Sequence, residues 1–153
     1  MILIRRYSIK DSTQLPQAIN QVCTDTPWMS TRSFIPTSAW LHAMEVDDCR
    51  YHWLLVVESN GEVVGWCRSF PQDCKTSPFA AELGIGLLPQ YRNQGIGTEL
   101  VIRCLEWAEA TGLHKVDLTV SAGNSIATHV FIKCGFGTAS IDGNKILMTN
   151  YLL

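Results

Sequence analysis

The feature that most constrains the fold of this chain is a loop with two glycines, Gly95 and Gly97, between a predicted strand and the most regular predicted helix. The strand is predicted over residues 80–88, and the helix over 98–111 with Gly112 at its C-terminal cap. Glycine lets the backbone approach a ligand more closely than a side chain would allow. The first N–H groups of the helix point into the loop, and together with the helix dipole they favour a bound phosphate.

Two better-known phosphate-binding loops are excluded here. A dinucleotide fingerprint needs a third glycine where this chain has Leu100, and a P-loop needs a Gly-Lys-Ser/Thr run that does not follow. Arg92 could add a positive charge to the loop. Taken alone, however, the two glycines are better explained by the geometry of a strand-to-helix turn.

The rest of the chain alternates strands and helices. Strands are predicted over 2–6, 53–58, 62–70, 115–121 and 145–152, with one more short strand after Phe136. Helices are predicted from about 12 to 24 with Asp11 or Ser12 as the cap, from Thr37 onward, and from Asn124 to about 133. Asn60-Gly61 predicts a hairpin turn, and 71–78 a polar loop. This order predicts an α+β fold in a single domain over 1–153, with a mixed, mostly antiparallel central sheet flanked by helices.

The composition narrows the classes of function. The 153 residues carry a net charge of −2 without a basic stripe, so we expect no nucleic-acid partner. No run of about 18 apolar residues is present and the N-terminus does not resemble a signal peptide, so we expect no membrane partner and a cytoplasmic location.

The six cysteines form no Cys-x-x-Cys pair. We therefore expect ordinary thiols, with no disulfide framework, no His acting as a zinc ligand beside them and no metal.

Two segments together resemble the GNAT superfamily of acyl-CoA-dependent N-acyltransferases. The loop matches the family's motif A as Arg92-x-x-Gly95-x-Gly97, preceded by Pro89 and Tyr91. Downstream, the chain matches motif B as Asn124-x-x-Ala127-x-x-x-Phe131-x-Lys133-x-Gly135-Phe136. The opening strand with Ile4 and Arg5, followed by Asp11, is also similar to the start of many members, so the resemblance covers essentially the whole chain.

The resemblance implies that acetyl-CoA is the co-substrate. The implied binding residues are Leu87, Leu88, Arg92, Gln94, Gly95, Ile96, Gly97, Thr98 and Asn124. The loop backbone would bind the pyrophosphate, and Asn124 would bond to the pantetheine arm. The strand end would pair with the pantetheine amides and, near Leu87, polarise the thioester carbonyl. In the family this strand splays from the next one, predicted here over 115–121, and the thioester lies in the gap.

The implied reaction is direct attack of an amine on the thioester in a ternary complex. Glu82 is the candidate base, because some members have a Glu at a similar strand position; an ordinary half-exposed polar residue is the alternative. Phe131 departs from the family pattern, in which a Tyr often protonates the leaving thiolate. Phe131 therefore leaves open a non-catalytic acyl-CoA-binding or regulatory module. Transfer of a longer acyl group is a further alternative, for which Gly84 and Gly86 could leave room.

The acceptor is expected to be a small-molecule amine or a protein amino group. Trp28, Met29, Phe34 and Trp40 could line its pocket, although we expect at least two of them to belong to the core. Asp25 and the pair at 47–48 could attract a cationic amine, although solvated Asp side chains are commoner. Dimers are common among members, so the resemblance also leaves a homodimer open.

Overall fold

The computed structural model describes residues 1–29, 32–46, 49–73 and 77–152. Its elements are β1 Ile2–Arg6, α1 Gln14–Asp25, α2 Ser38–Glu45, β2 Trp53–Ser59, β3 Glu62–Asp73, β4 Ser77–Leu87, α3 Ile96–Thr111, β5 Lys115–Ser121, α4 Ser125–Lys133, β6 Gly137–Asp142 and β7 Lys145–Tyr151. Two short 3-10 helices, Ile9–Asp11 and Pro89–Tyr91, complete the order. The acidic pair at 47–48 and Cys74 lie outside the described residues.

The strands of the described residues form one seven-stranded sheet in the order β1-β2-β3-β4-β5-β7-β6. Neighbours are antiparallel except β4 and β5, which run parallel. The α+β prediction with a mixed, mostly antiparallel sheet is therefore confirmed. The part of the chain that the structure describes contains no helix long and apolar enough to cross a membrane.

The parallel junction in the middle of the sheet is short. Within the described residues, β4 and β5 pair at three positions, Ala80–Lys115, Ala81–Val116 and Glu82–Asp117. Both strands continue beyond these pairs, β4 to Leu87 and β5 to Ser121. The sheet therefore opens beyond Glu82 and Asp117, which is the splay that the family resemblance implied.

Each face of the sheet is covered by its own apolar cluster. One cluster packs α3 and α4 on the sheet through buried residues such as Leu100, Val101 and Phe131. The other packs α1 and α2 through residues such as Leu15, Ile19 and Trp66. This arrangement places helices on both sides of the gap between β4 and β5.

Several element boundaries differ from the sequence prediction. Helix α3 begins at Ile96, because Gly95 takes a left-handed conformation (φ 85°) at the N-cap and the next residues are already helical. Pro71 lies inside β3 opposite Ala81, so the predicted loop at 71–78 is largely strand in its described part. Neither Asp11 nor Ser12 caps α1; Thr13 occupies the N-cap, and the Asp11 carboxylate bonds to Arg5 instead.

Candidate active site

A cavity of about 320 Å³ lies where the sheet opens. It is bounded by the end of β4, the start of α3, α4 and the segment that follows α1. Its lining residues are Val22, Thr26, Trp28, Met29, Ile85, Gly86, Leu87, Arg92, Asn93, Gly95, Gly97, Thr98, Asn124, Ile126, Ala127, Val130 and Phe131. The structure thus brings six of the nine predicted cofactor-binding residues to one cavity.

The backbone at the end of β4 exposes one edge to the gap. The N–H of Leu88 donates to the Val64 carbonyl on β3 at 2.9 Å, and the Leu88 carbonyl accepts from Tyr91 N–H at 3.0 Å. Because the hydrogen-bonding groups of successive strand residues point to opposite sides, the N–H of Leu87 faces away from β3, toward the gap. Leu88 has no N–H to offer a ligand, which departs from the prediction, whereas Leu87 keeps its predicted place.

The N-terminus of α3 opens into the cavity. The N–H groups of Ile96, Gly97 and Thr98 belong to the first helical turn and have no acceptor within the helix. A Cβ added at Gly97 would meet nothing within 4 Å, so the space beside this turn is open. Free donors and the positive end of the helix dipole coincide here, which suits a phosphate group.

Two loop side chains support this turn rather than enter the cavity as free groups. Arg92 Nε donates to the Leu87 carbonyl at 2.9 Å, which ties the loop to the end of β4 while Arg92 still lines the cavity. Gln94 Nε2 donates to the Gln90 carbonyl at 2.8 Å. Gln94 and the buried Ile96 are not among the lining residues, so their predicted contribution is limited to backbone groups.

Helix α4 forms the opposite wall. Asn124 caps it, as predicted, by accepting the Ala127 N–H through Oδ1 at 3.3 Å. Phe131 is 6% exposed, lines the cavity and packs edge-on against Phe136. Burial raises the pKa of the Cys134 thiol, although the positive charge of Lys133 opposes that shift. Cys134 does not line the cavity.

Glu82 lies at the last paired position before the gap. Its Oε1 accepts from Arg68 Nη2 at 3.0 Å, and its carbonyl accepts from Arg68 Nη1 at the same distance. The Glu82 side chain is 48% exposed and is not among the residues that line the cavity. Glu82 therefore stands next to the gap rather than inside it.

A second carboxylate, which the sequence analysis missed, lies beside Glu82. Asp117 is 4% exposed and is the Cα partner of Glu82. It accepts hydrogen bonds from Gln72 at 2.7 Å and Thr149 at 2.6 Å, and Lys115 Nζ lies 3.3 Å away. The available signal was a carboxylate inside β5, a strand whose other charged residue, Lys115, lies at its start.

The aromatic residues after α1 divide between the cavity and the core. Trp28 lines the cavity, where the Ser121 hydroxyl donates to its carbonyl at 3.3 Å. Phe34 and Trp40 pack against each other beside the second apolar cluster, so two of these residues belong to the core, as predicted.

The two glycines of β4 do not leave room for a longer acyl group. A Cβ at Gly84 would lie 2.6 Å from Arg68 Nε, and one at Gly86 would lie 2.2 Å from the Trp66 ring. Those two side chains fill the space, which removes the argument that the sequence offered for a longer acyl chain.

A second group of reactive side chains lies outside this cavity. His42, Cys49 and His52 place their ligand atoms within 4.8 Å of one another. Burial, together with the nearby His42, lowers the pKa of His52. The sequence predicted no His beside a cysteine as a zinc ligand; the structure brings these three side chains together, and the spacing Cys49-x-x-His52 was the available signal.

Comparison with known proteins decides the family. Residues 17–136 match the acetyltransferase (GNAT) family.

The chain belongs to the GNAT family.

Curated relatives and solved structures agree with this assignment. Mycothiol acetyltransferase from Paenarthrobacter aurescens is 29% identical over 86 residues, and that from Pseudarthrobacter chlorophenolicus 26% over 92 residues. These matches cover 55% and 59% of the chain but 27% and 28% of the relatives, so the chain matches about a quarter of their length.

The likeness to solved structures extends over the whole chain. A GNAT-family acetyltransferase from Streptococcus pneumoniae superposes with a TM-score of 0.87 at 25% identity and covers 100% of both chains. YncA from Salmonella typhimurium, whose structure contains acetyl-CoA, gives 0.84 at 18% identity and covers 100% of this chain and 95% of that chain. The fold is therefore that of GNAT acetyltransferases.

Proposed function

We propose that this protein transfers an acetyl group from acetyl-CoA to a primary amine by direct attack in a ternary complex. The observation that carries the proposal is the cavity at the opening between β4 and β5, with the N-terminus of α3 at its side. A strand edge with free N–H groups and a helix N-terminus are what an amide-rich, phosphate-bearing cofactor needs. The bound acetyl-CoA of the Salmonella neighbour and the bound CoA of a Thermoplasma acidophilum neighbour support this choice of cofactor.

The loop residues would bind the pyrophosphate through main-chain donors. The N–H groups of Gly97 and Thr98 lie in the first turn of α3, at the positive end of its dipole. Arg92 adds positive charge, held in place by the Leu87 carbonyl. On the other wall, Asn124 uses Oδ1 for its cap, so Nδ2 is the atom that would donate to the pantetheine arm.

The chemical step needs an unprotonated amine and a stabilised oxyanion. In our proposal Glu82 removes one proton from the acceptor ammonium, directly or through water; the bond to Arg68 uses Oε1, which leaves Oε2 for that proton. The amine nitrogen then forms a bond to the thioester carbon, and the Leu87 N–H stabilises the oxyanion. Collapse of the tetrahedral intermediate breaks the C–S bond, CoA leaves as the thiolate, and the nitrogen loses its second proton to solvent, which yields the neutral amide.

CoA leaves without a proton from residue 131. Phe131 has no ionisable group, and its buried ring forms part of the cavity wall. A thiol with an ordinary pKa near 8.5 is a good enough leaving group to depart as the thiolate at neutral pH. The same observation favours the second candidate function, a module that binds acyl-CoA without turnover.

The acceptor class is a small-molecule amine or a protein amino group. The names of similar proteins suggest particular candidates: the acceptor of mycothiol acetyltransferase, an alanine of a ribosomal protein, and phosphinothricin. We place the protein in the cytoplasm with neither a nucleic acid nor a membrane as partner, on the grounds of its charge of −2 and its composition.

The test is release of free CoA from acetyl-CoA in the presence of these amines, with acetyl-CoA binding measured by calorimetry alongside. Gly97→Glu should abolish both signals, because the side chain fits sterically but places a carboxylate where the pyrophosphate binds. Gly137→Glu is the matched control, since a Cβ there also meets nothing within 4 Å and Gly137 lies on β6, away from the cavity.

The two candidate functions give different results. Amine-dependent CoA release that Gly97→Glu loses and Gly137→Glu keeps supports the transferase. Binding without release for any amine favours the non-catalytic module. Binding that survives Gly97→Glu would overturn the cofactor site itself.

A further inference from the structure

Three side chains with metal-binding atoms converge where α2 leads into β2. His42 lies in the last turn of α2, and His52 directly precedes β2. Cys49 lies between them, with its Sγ 3.2 Å from His42 Nε2 and 3.5 Å from His52 Nδ1. The two imidazole rings are close to each other as well, with centroids 4.4 Å apart.

These separations match the edges of a tetrahedral zinc site. With Zn–S near 2.3 Å and Zn–N near 2.0–2.1 Å, a tetrahedral ion places sulfur and nitrogen about 3.5 Å apart. Both Sγ-to-nitrogen distances lie within about 0.4 Å of that value. The nitrogen-to-nitrogen edge should be about 3.4 Å, and the exposed side chain of His42 can rotate to meet it.

Hydrogen bonding alone would hold the cluster only weakly. A thiol is a weak donor and its sulfur a weak acceptor, so both contacts of Cys49 would be weak hydrogen bonds whichever group donates. A borderline divalent ion satisfies all three atoms together, and thiolate and imidazole are the donors that zinc prefers.

We propose that His42, Cys49 and His52 bind one zinc ion. Cys49 binds as a thiolate and releases its proton to solvent, and both imidazoles bind as neutral ligands. The fourth position takes water, because three protein ligands leave a tetrahedral ion with one open site. His52 also borders a separate cavity of about 260 Å³, which gives that water a route in.

The ion would connect α2 to the strands near Glu82. It would join the end of α2 to the start of β2, and Cys49 lies in the segment between these two elements. His52 also packs on Phe70, with ring centroids 5.6 Å apart, and Phe70 is the β3 partner of Glu82. A metal at this position would thus hold α2 against the strands next to the open end of the sheet.

The test is metal stoichiometry and affinity, measured on the full chain freed of metal by a chelator. Titration with zinc chloride against a chromogenic zinc chelator should give one bound ion per chain, and cobalt(II) should give a thiolate-to-metal charge-transfer band. Cys49→Ser and His42→Ala should each weaken zinc binding at least tenfold. Cys134→Ser and His129→Ala are the matched controls, because they change a half-buried thiol and an exposed imidazole elsewhere.

Two results would overturn the proposal. One is a chain that takes up no stoichiometric zinc. The other is zinc binding that Cys49→Ser leaves unchanged or that Cys134→Ser removes. Circular dichroism of each variant confirms that it is folded, and neither readout depends on acetyl transfer, so the zinc site and the proposed function can fail independently.

Discussion

At Glu82 the sheet changes from paired to diverging strands, and two carboxylates lie side by side there in unlike surroundings. Asp117 is buried and contacts Gln72, Thr149 and Lys115, so its oxygens are engaged. Glu82 is half exposed and accepts a side-chain hydrogen bond from Arg68. A carboxylate with an uncommitted oxygen next to the gap is better placed to accept a proton from an amine. We therefore propose Glu82 rather than Asp117 as the base, while the hydrogen bonds of Asp117 stabilise the strand junction.

Glu82→Gln should lower turnover by about 10²–10⁴-fold, the usual contribution of a positioned general base. Acetyl-CoA affinity should stay the same, because Glu82 does not line the cavity. Steady-state kinetics over a range of pH and calorimetry measure the two quantities. Glu62→Gln, at an exposed carboxylate beside the first hairpin, serves as the control. An unchanged rate at every pH would remove Glu82 from the mechanism.

The roles of residues in local motifs were easier to predict from the sequence than the roles of residues that contact distant parts of the chain. Asn124, Gly95 and Gly97 belong to caps and turns, whose signals lie within a few residues. By contrast, Glu58 accepts a hydrogen bond from Arg5 at 2.9 Å, 53 positions away. Neither that ion pair nor the bond between Arg68 and Glu82 has a signature in sequence spacing.

At the scale of elements, the pairing of β3 with β4 depends on small residues on β4. Gly86 lies opposite Trp66, which is only 2% exposed. Gly86→Ala would place a Cβ 2.2 Å from that ring, so the strand or the ring must shift. We expect a loss of about 1–3 kcal/mol in the free energy of unfolding, measured by urea denaturation. Gly137→Ala, where the space is open, should change it far less; equal losses would contradict this account.

Arg5 joins β1 to β2 and to the turn before α1 through Glu58 and Asp11. Burial alone would raise the pKa of Asp11, but hydrogen bonds from Arg5 and the Ser8 N–H bring it below its usual value. A carboxyl whose pKa is lower in the folded state contributes stability above its unfolded value, about 3.9, and loses it as pH falls through the folded value.

Asp11→Asn should therefore destabilise the protein by about 1–3 kcal/mol near neutral pH. The difference from the wild type should shrink as pH falls from about 4 through the lower pKa of the folded state, because the unfolded carboxyl and then the folded one become protonated. Urea denaturation at several pH values measures both effects. Asp25→Asn, at an exposed position, is the control. A difference that stays constant down to pH 2 would show that charge on Asp11 is not the cause.

The elements themselves were largely predictable, because their signals are local. Strands β1 and β5 have the predicted bounds, and α2 begins after Thr37, whose hydroxyl accepts the Trp40 N–H. The exception at Pro71 is instructive: the polar composition of 71–78 is typical of a loop, yet Pro71 pairs with Ala81 because β4 lies alongside. Pairing with a neighbouring strand overrides local composition.

At the scale of the whole molecule, the sheet formed by the described residues has two parts, β1 to β4 and then β5, β7 and β6, joined by three residue pairs. The cavity depends on where this junction ends, which is a long-range property that no local pattern encodes. The family resemblance implied the splay, whereas the residues alone gave only the loop beside it. The convergence of His42, Cys49 and His52 is also a long-range property, because it depends on how α2 is placed relative to β2.

This two-part sheet predicts how acetyl-CoA should change the stability of the molecule. A cofactor in the cavity would contact β4 on one part and α4, which follows β5, on the other. Binding to the folded state alone, at a concentration 100 times Kd, adds about 2.7 kcal/mol to the free energy of unfolding. For a chain of this size that corresponds to a rise of about 5–10 °C in Tm, measurable by scanning calorimetry.

The variants at Gly97 and Gly137 separate this effect from non-specific stabilisation. Gly97→Glu should lose the rise in Tm, and Gly137→Glu should keep it, because these two open glycines differ in their distance from the cavity. Hydrogen exchange should slow both at residues 85–88 and at 124–131, since the cofactor would lie between those segments. Protection of one segment alone, or an equal rise in Tm for both variants, would show that acetyl-CoA does not bridge the two parts of the sheet.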